Sequence, residues 1–127
     1  MEWKDEFSVG VAIIDQDHKE LLRIVNALSE ALAKGPQPAG RICDELIEHT
    51  LAHFTREEHW FKPLGYPGAE QHRRMHQKLT ERLLEYRDRL RQETDADRLA
   101  LFVDFLAHHI TGADRSYGAW LNTRGIH

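Results

Sequence analysis

Three tracts of turn-forming residues, "KGPQPAG" at 34–40, "LGYPG" at 64–68 and "ETDAD" at 93–97, divide the chain into four long stretches whose apolar residues recur every three or four positions. That period belongs to helices, and no stretch shows the sustained alternation of a strand. The first stretch, about 15–34, carries Leu21, Leu22, Val25, Leu28 and Leu32. The second, about 41–64, reads Ile42, Leu46, Thr50, His53, Glu57, Trp60 or Phe61, and Leu64. The third, about 69–91, reads His72, His76, Leu79, Leu83, Tyr86, Leu90, and the fourth, about 95–121, carries Leu99, Phe102, Val103, Leu106, His109, Ile110, Tyr117 and Leu121. Thr94 or Asp95 is the expected cap of the fourth. Four such helices joined by short loops predict an all-α fold, an antiparallel up-down-up-down four-helix bundle with an extended N-terminal segment, formed by residues 1–127 as one domain.

The core stripes contain residues a core does not ordinarily accept. His18 continues the first stripe, His53 and Glu57 end the second, His72 and His76 begin the third, and His109 and Asp114 lie late in the fourth. In an up-down-up-down bundle these four places share one end. Each residue advances a helix by about 1.5 Å, so the polar positions should meet within a turn or two of one level.

Composition narrows the alternatives. The formal net charge is −4 and the signs are interspersed, which argues against a nucleic-acid surface. The arginine-rich "QHRRMHQKLTERLLEYRDRLRQE" alternates with Glu81, Glu85 and Asp88 and reads as a solvated face. No apolar run is long enough for a membrane span, and "MEWKDEFSVG" lacks the pattern of a secretion signal. Cys43 is the single cysteine, so no internal disulfide forms. A cytoplasmic location is expected.

Nine of the 127 residues are histidine, and five of those nine fall on the stripes at one level. One buried imidazole is usually a satisfied core residue, but five imidazoles and two carboxylates together would each cost several kcal/mol unless compensated. Metal ions compensate both groups at once, since imidazole nitrogen and carboxylate oxygen suit zinc and iron. His53 with Glu57, and His72 with His76, are spaced to project from one face of a helix. Glu58 is turned about 100° from Glu57 and is assigned to solvent with Arg56 and His59, and His49, a turn deeper than His53, is assigned a structural role. His109 and Asp114 would lie about 140° out of phase on a regular helix, and a π-bulge near Gly112 would bring them together. Five imidazoles exceed one tetrahedral zinc site, and no H-E-x-x-H motif is present, so two metals follow more naturally than one.

The segments "IDQDHKEL", "HFTREE", "GYP" followed by "HRRMH", and "HITGAD" together resemble the hemerythrins, in particular the prokaryotic single-domain bacteriohemerythrins, over nearly the whole chain from Trp3 to about Leu121. The resemblance implies two non-haem iron ions, bridged by an oxo or hydroxo group and by the carboxylates of Glu57 and Asp114. His72, His76 and His109 would hold one iron and His18 and His53 the other, which keeps an open position for dioxygen. It also implies that oxygen uptake redistributes charge inside the site without changing the total, which a dry pocket tolerates. The family's pocket positions fall on Phe54, Leu106 and Ile110, which also suit an ordinary core, and Tyr117 falls on a tyrosine near the site, either as a partner of a ligand or as core. The chain departs from the pattern at Asp17, where relatives usually have glutamine, adding a hydrogen-bond acceptor near the more open iron. It departs again at Trp60 and Phe61, expected to narrow the pocket mouth.

The implied function is reversible dioxygen binding for transport, storage or delivery to an oxygen-consuming enzyme, with no enzymatic activity of its own. Oxygen or redox sensing through a separate partner, oxidase or peroxidase activity, and a metal-free or zinc-filled interaction bundle are the alternatives. Sensing would need that partner because the chain ends soon after the fourth helix. Monomer and homo-oligomer both fit the sequence.

Overall fold

In the computed structural model, residues 2–90 and 96–127 are described, with backbone alone at Pro36 and residues 96–98. Four long helical stretches form the bundle: α1 (Ala12–Leu32), α2 (Pro36–Glu58), α4 (Ala69–Leu90) and a fourth composed of α5 (Ala96–His109), a π-helical turn (Ile110–Asp114) and α6 (Arg115–Thr123). A one-turn helix, α3 (Phe61–Leu64), links α2 to α4. Contacts run from α1 to α2, α2 to α4, α4 to α5 and α5 back to α1, the ring of an all-α four-helix bundle. Thr94 and Asp95, the expected cap, lie outside the described residues.

The helix ends differ from the sequence expectation for identifiable reasons. α2 starts at Pro36 rather than near Arg41, because Pro36 and Pro38 fall in its first turn, where the backbone N–H groups would be unpaired in any case. Gly35, with φ of 122°, makes the sharp entry. At the other end α2 stops at Glu58 instead of continuing to Leu64. Pro63 has no N–H to give the His59 carbonyl, and its ring would crowd that carbonyl, so the chain breaks at His59 and Trp60 and resumes as α3. α1 begins at Ala12, three residues before Asp15.

Two apolar clusters fill the interior. The larger includes Leu21, Leu28, Leu46, Leu83, Phe102 and Leu106, all at most 4 % exposed. The smaller one joins Val9, Val11, Ile14, Phe61, Tyr117 and Leu121. It is assembled from the N-terminal arm, the first turn of α1, α3 and α6, so the bundle end that receives the polar residues is closed by apolar side chains. The arm is tied down by the Asp15 carboxylate, which accepts from the Val9 N–H at 2.8 Å, and by Asn122, whose amide donates to the Gly10 carbonyl at 3.0 Å.

The cap brings backbone against backbone at Gly118, where an added Cβ would overlap the Val9 carbonyl oxygen. Neither partner is a flexible side-chain tip. Gly118→Ala is therefore expected to push the arm off α6 and to lower unfolding free energy by about 1–3 kcal/mol, the range for overpacking, measured by urea denaturation.

Candidate metal centre

Seven side chains from the four helical stretches meet between the two apolar clusters. His18 comes from α1, His53 and Glu57 from the last turns of α2, His72 and His76 from the first turns of α4, His109 from the end of α5 and Asp114 from the π-turn. All seven are buried, with exposures from 0 % for His18 and Glu57 to 7 % for His109. For six of them the placement follows from the helical pattern, each sitting on the stripe that faces the bundle axis; Asp114 is brought to that face by the π-turn.

The two carboxylates divide their oxygens between two sets of imidazoles. Glu57 Oε1 lies 2.9 Å from His76 Nε2 and 3.3 Å from His72 Nε2, while its Oε2 lies 3.2 Å from His53 Nε2 and 3.8 Å from His18 Nε2. Asp114 Oδ1 lies 2.9 Å from His72 Nε2 and 3.1 Å from His109 Nε2, while its Oδ2 is 3.1 Å from His18 Nε2. One set of five residues (Glu57, His72, His76, His109, Asp114) and one of four (His18, His53, Glu57, Asp114) thus each gather their donor atoms within 4.8 Å, sharing both carboxylates.

The pairing of His109 with Asp114 depends on the π-turn. On a regular helix residues five apart point in different directions, whereas the wider π-turn brings them onto one face. Gly112 lies within it, but a Cβ there would meet nothing within 4 Å, so side-chain space is not what requires glycine.

Whether these atoms suit a metal can be judged from their own geometry. Ligands held about 2.1 Å from an octahedral ion are about 3.0 Å from one another, and most of the separations above cluster around that value. His18 Nε2 and His53 Nε2 also approach to 3.0 Å. Despite such closeness, both Glu57 oxygens, Asp114 Oδ1 and the Nε2 atoms of His72, His76 and His109 have no hydrogen bond of acceptable direction. They converge on common points instead of pairing. Buried polar atoms arranged in this way could hold two metal ions, each bridged to the other by the same two carboxylates.

The sequence profile described as "Hemerythrin HHE cation binding domain" matches residues 9–121, which contain all seven. The chain belongs to the hemerythrin family. It is 33% identical over 118 residues to a bacteriohemerythrin of Stenotrophomonas maltophilia (strain R551-3), covering 91% of this chain and 77% of that one. To a bacteriohemerythrin of Methylococcus capsulatus (strain ATCC 33009 / NCIMB 11132 / Bath) it is 29% identical, with 92% of each covered. Its fold superimposes on a wild-type hemerythrin crystal structure with a TM-score of 0.87 at 29% identity, over 94% of this chain and 95% of that chain.

Around this hemerythrin site, several side chains occupy places the sequence did not reveal. Glu58, expected in solvent, is half-buried: it pairs with Arg73 at 3.3 Å and its Oε2 lies 3.4 Å from His76 Nδ1. Arg56 does face water, as expected, but its guanidinium also forks onto Asp17, Nε to Oδ2 at 2.7 Å and Nη2 to Oδ1 at 2.8 Å. Asp17 Oδ2 in turn accepts from His53 Nδ1 at 2.9 Å. His49 donates to the Asp17 carbonyl at 3.2 Å, in keeping with a structural role. The Glu58 placement was missed because a residue about 100° round a helix still reaches sideways to the neighbouring helix.

The aromatic surroundings divide along the same line as the core. Phe54 stacks on His76 with ring centroids 3.8 Å apart, and Leu106 and Ile110 line a narrow crevice with Phe7 and Leu22. Phe61, expected at a pocket mouth beside Trp60, lies in the other cluster, 5.4 Å from His72 and 5.0 Å from Tyr117. It is 1 % exposed and closes the end of the bundle; Trp60 packs half-buried against the same cluster. Tyr117, wholly buried, donates its hydroxyl to the Glu57 carbonyl at 2.7 Å, fixing the peptide that carries the shared carboxylate.

Electrostatics in the metal-free protein follow from this crowding. Burial lowers the affinity of the His53 imidazole for its proton, but the Glu57 carboxylate and the Asp17 hydrogen bond outweigh it and raise the pKa to about 10. His72 is likewise opposed by burial and lifted by Asp114 and Glu57, to about 9. His76 goes the other way, depressed first by burial and further by His72 and His109. Burial and mutual repulsion would raise the Glu57 carboxyl, yet His53 and the other imidazoles hold it well below the usual range; Asp114 is depressed in the same manner by His109 and its neighbours.

These shifts set the pH dependence of the metal-free protein. The stability contributed by protonated His53 and His72 is complete below the ordinary histidine value of 6.5 and is lost as pH rises through about 9 to 10. That of the carboxylates is present above their ordinary values and is lost as pH falls further. Urea midpoints of the metal-free chain are expected to peak near pH 5–6 and fall toward pH 9. A divalent metal needs the imidazoles deprotonated, so its added stabilisation should grow over the same rise.

Proposed function

We propose that this hemerythrin binds dioxygen reversibly at a centre of two non-haem iron ions bridged by an oxo or hydroxo group. One observation carries the reading: Glu57 and Asp114 each turn one oxygen toward the group of His72, His76 and His109 and the other toward the group of His18 and His53, Glu57 meeting two imidazoles on each side and Asp114 two and one. His72, His76 and His109 would hold one iron, His18 and His53 the second, and both carboxylates would bridge. With one protein donor fewer, the second iron is the one left open to a small ligand. The iron pair, when bound, supplies the electrons that dioxygen binding draws on.

The chain's own part is to hold, shield and neutralise. Glu57 and Asp114 balance the cationic charge at a place closed to water, which a low-dielectric interior would otherwise penalise. Phe54, Leu106 and Ile110 form the apolar wall that keeps water from the ligand, and Tyr117 steadies Glu57 through its backbone. Five imidazoles with only two carboxylates favour binding over the oxidase and peroxidase chemistry of carboxylate-rich bundles, which draw a glutamate from two helices and a Glu-x-x-His from two others. We read the protein as a non-enzymatic carrier, store or local supplier of oxygen, with an oxygen-consuming enzyme as client. The buried thiol of Cys43 suits a reducing cytoplasm, and among the described residues no helix is long and apolar enough to cross a membrane.

Iron-loaded protein, reduced without air, exposed to oxygen and returned to argon, is expected to show a visible charge-transfer band that appears and then fades. Passage to a lasting ferric spectrum would favour an oxidase or a sensor instead. Metal analysis should find two irons per chain. Glu57→Ala, which removes one shared bridge, is expected to bring that number below two.

A further inference from the structure

We infer that Asp17, clamped by Arg56, is the positioning residue of the two-imidazole half: it fixes the ring of His53 so that Nε2 is the nitrogen presented to a metal. This rests on the di-iron reading above. An imidazole can offer either nitrogen, and the hydrogen bond made by the other one decides which. A carboxylate only accepts, so at 2.9 Å from Asp17 Oδ2 the proton sits on His53 Nδ1. That leaves Nε2 facing Glu57 Oε2 at 3.2 Å and His18 Nε2 at 3.0 Å.

Asp17 is itself held in place. Arg56, three residues after His53 on α2, takes both of its oxygens in a two-pronged contact, and His49 from the same helix holds its backbone carbonyl. Asp17 immediately precedes His18, so the closed loop of His53, Asp17 and Arg56 also sets α1 against α2 at the level of the site. No comparable support reaches His18, whose Nδ1 is buried without a hydrogen-bond partner. On the other half, Glu58 approaches His76 Nδ1 at only 3.4 Å. Orientation of the four-donor set therefore falls to His53.

The test uses zinc as probe, with the metal-free full chain as wild type, Asp17→Ala and Asp17→Asn, titrated in competition with a chelator. Wild type is expected to take two zinc ions. Asp17→Ala should weaken one of them by about 10- to 100-fold, and Asp17→Asn, which keeps an acceptor oxygen in place, should restore most of that loss. Nitrogen NMR of zinc-loaded wild type should show His53 with a proton on Nδ1 and zinc at Nε2. Unchanged affinity in Asp17→Ala, or equal loss in both variants, would overturn the inference while leaving the metal centre standing. Zinc at Nδ1 of His53 in wild type would overturn it whether or not Asp17→Ala folds. Failure of wild type to take two ions would remove the metal-centre reading and the inference with it.

Discussion

Two carboxylates buried side by side would repel each other and forfeit their hydration, and the rest of the structure answers that cost. Glu57 and Asp114 are at most 1 % exposed, and every one of their oxygens faces imidazole nitrogen. Without metal, the balance comes from protons held on His53 and His72. With metal, the cations take over that role. Either way the positive partners must come from all four helical stretches to one level, so the electrostatics of two side chains fix how far each helix is advanced relative to its neighbours.

Such a site is sustained only if water stays out from both sides. On one side Phe54, Leu106 and Ile110 continue the main apolar core; on the other, the arm, α3 and α6 supply Val9, Phe61, Tyr117 and Leu121. The break in α2 serves this second side. By ending the helix at Glu58 and turning Phe61 inward, Pro63 converts what would be a protruding helix end into part of a lid over His72.

Much of this was legible in the sequence because helical periodicity reports which residues face the axis. The four stretches, the all-α bundle and the convergence of His18, His53, Glu57, His72, His76 and His109, with Asp114 joining them only through the π-turn, follow from positions on a stripe. So does the π-turn, since a five-residue spacing between two inward polar residues has few other resolutions. Periodicity says nothing, however, about contacts between different helices. The links from Asp17 to His53 and from Glu58 to His76 depend on helix separation and side-chain reach, which a single sequence does not encode in its spacing. The prolines misled in both directions: Pro36 and Pro38 open α2 where they resembled a loop, and Pro63 breaks it where the stripe seemed to continue.

The π-turn at Ile110–Asp114 also sets the orientation of all that follows it. One residue more per turn than an α-helix advances the phase of α6 by about 100°, so Tyr117, Gly118 and Leu121 face inward only because the extra residue precedes them. A loop absorbs the loss of one residue by changing its path, but this segment has no such freedom. Removing one position there would part Asp114 from His109 and, in the same stroke, turn Gly118 away from the arm and the Tyr117 hydroxyl away from Glu57. Chain length between His109 and Leu121 is thus as much a property of the centre as the identity of its ligands.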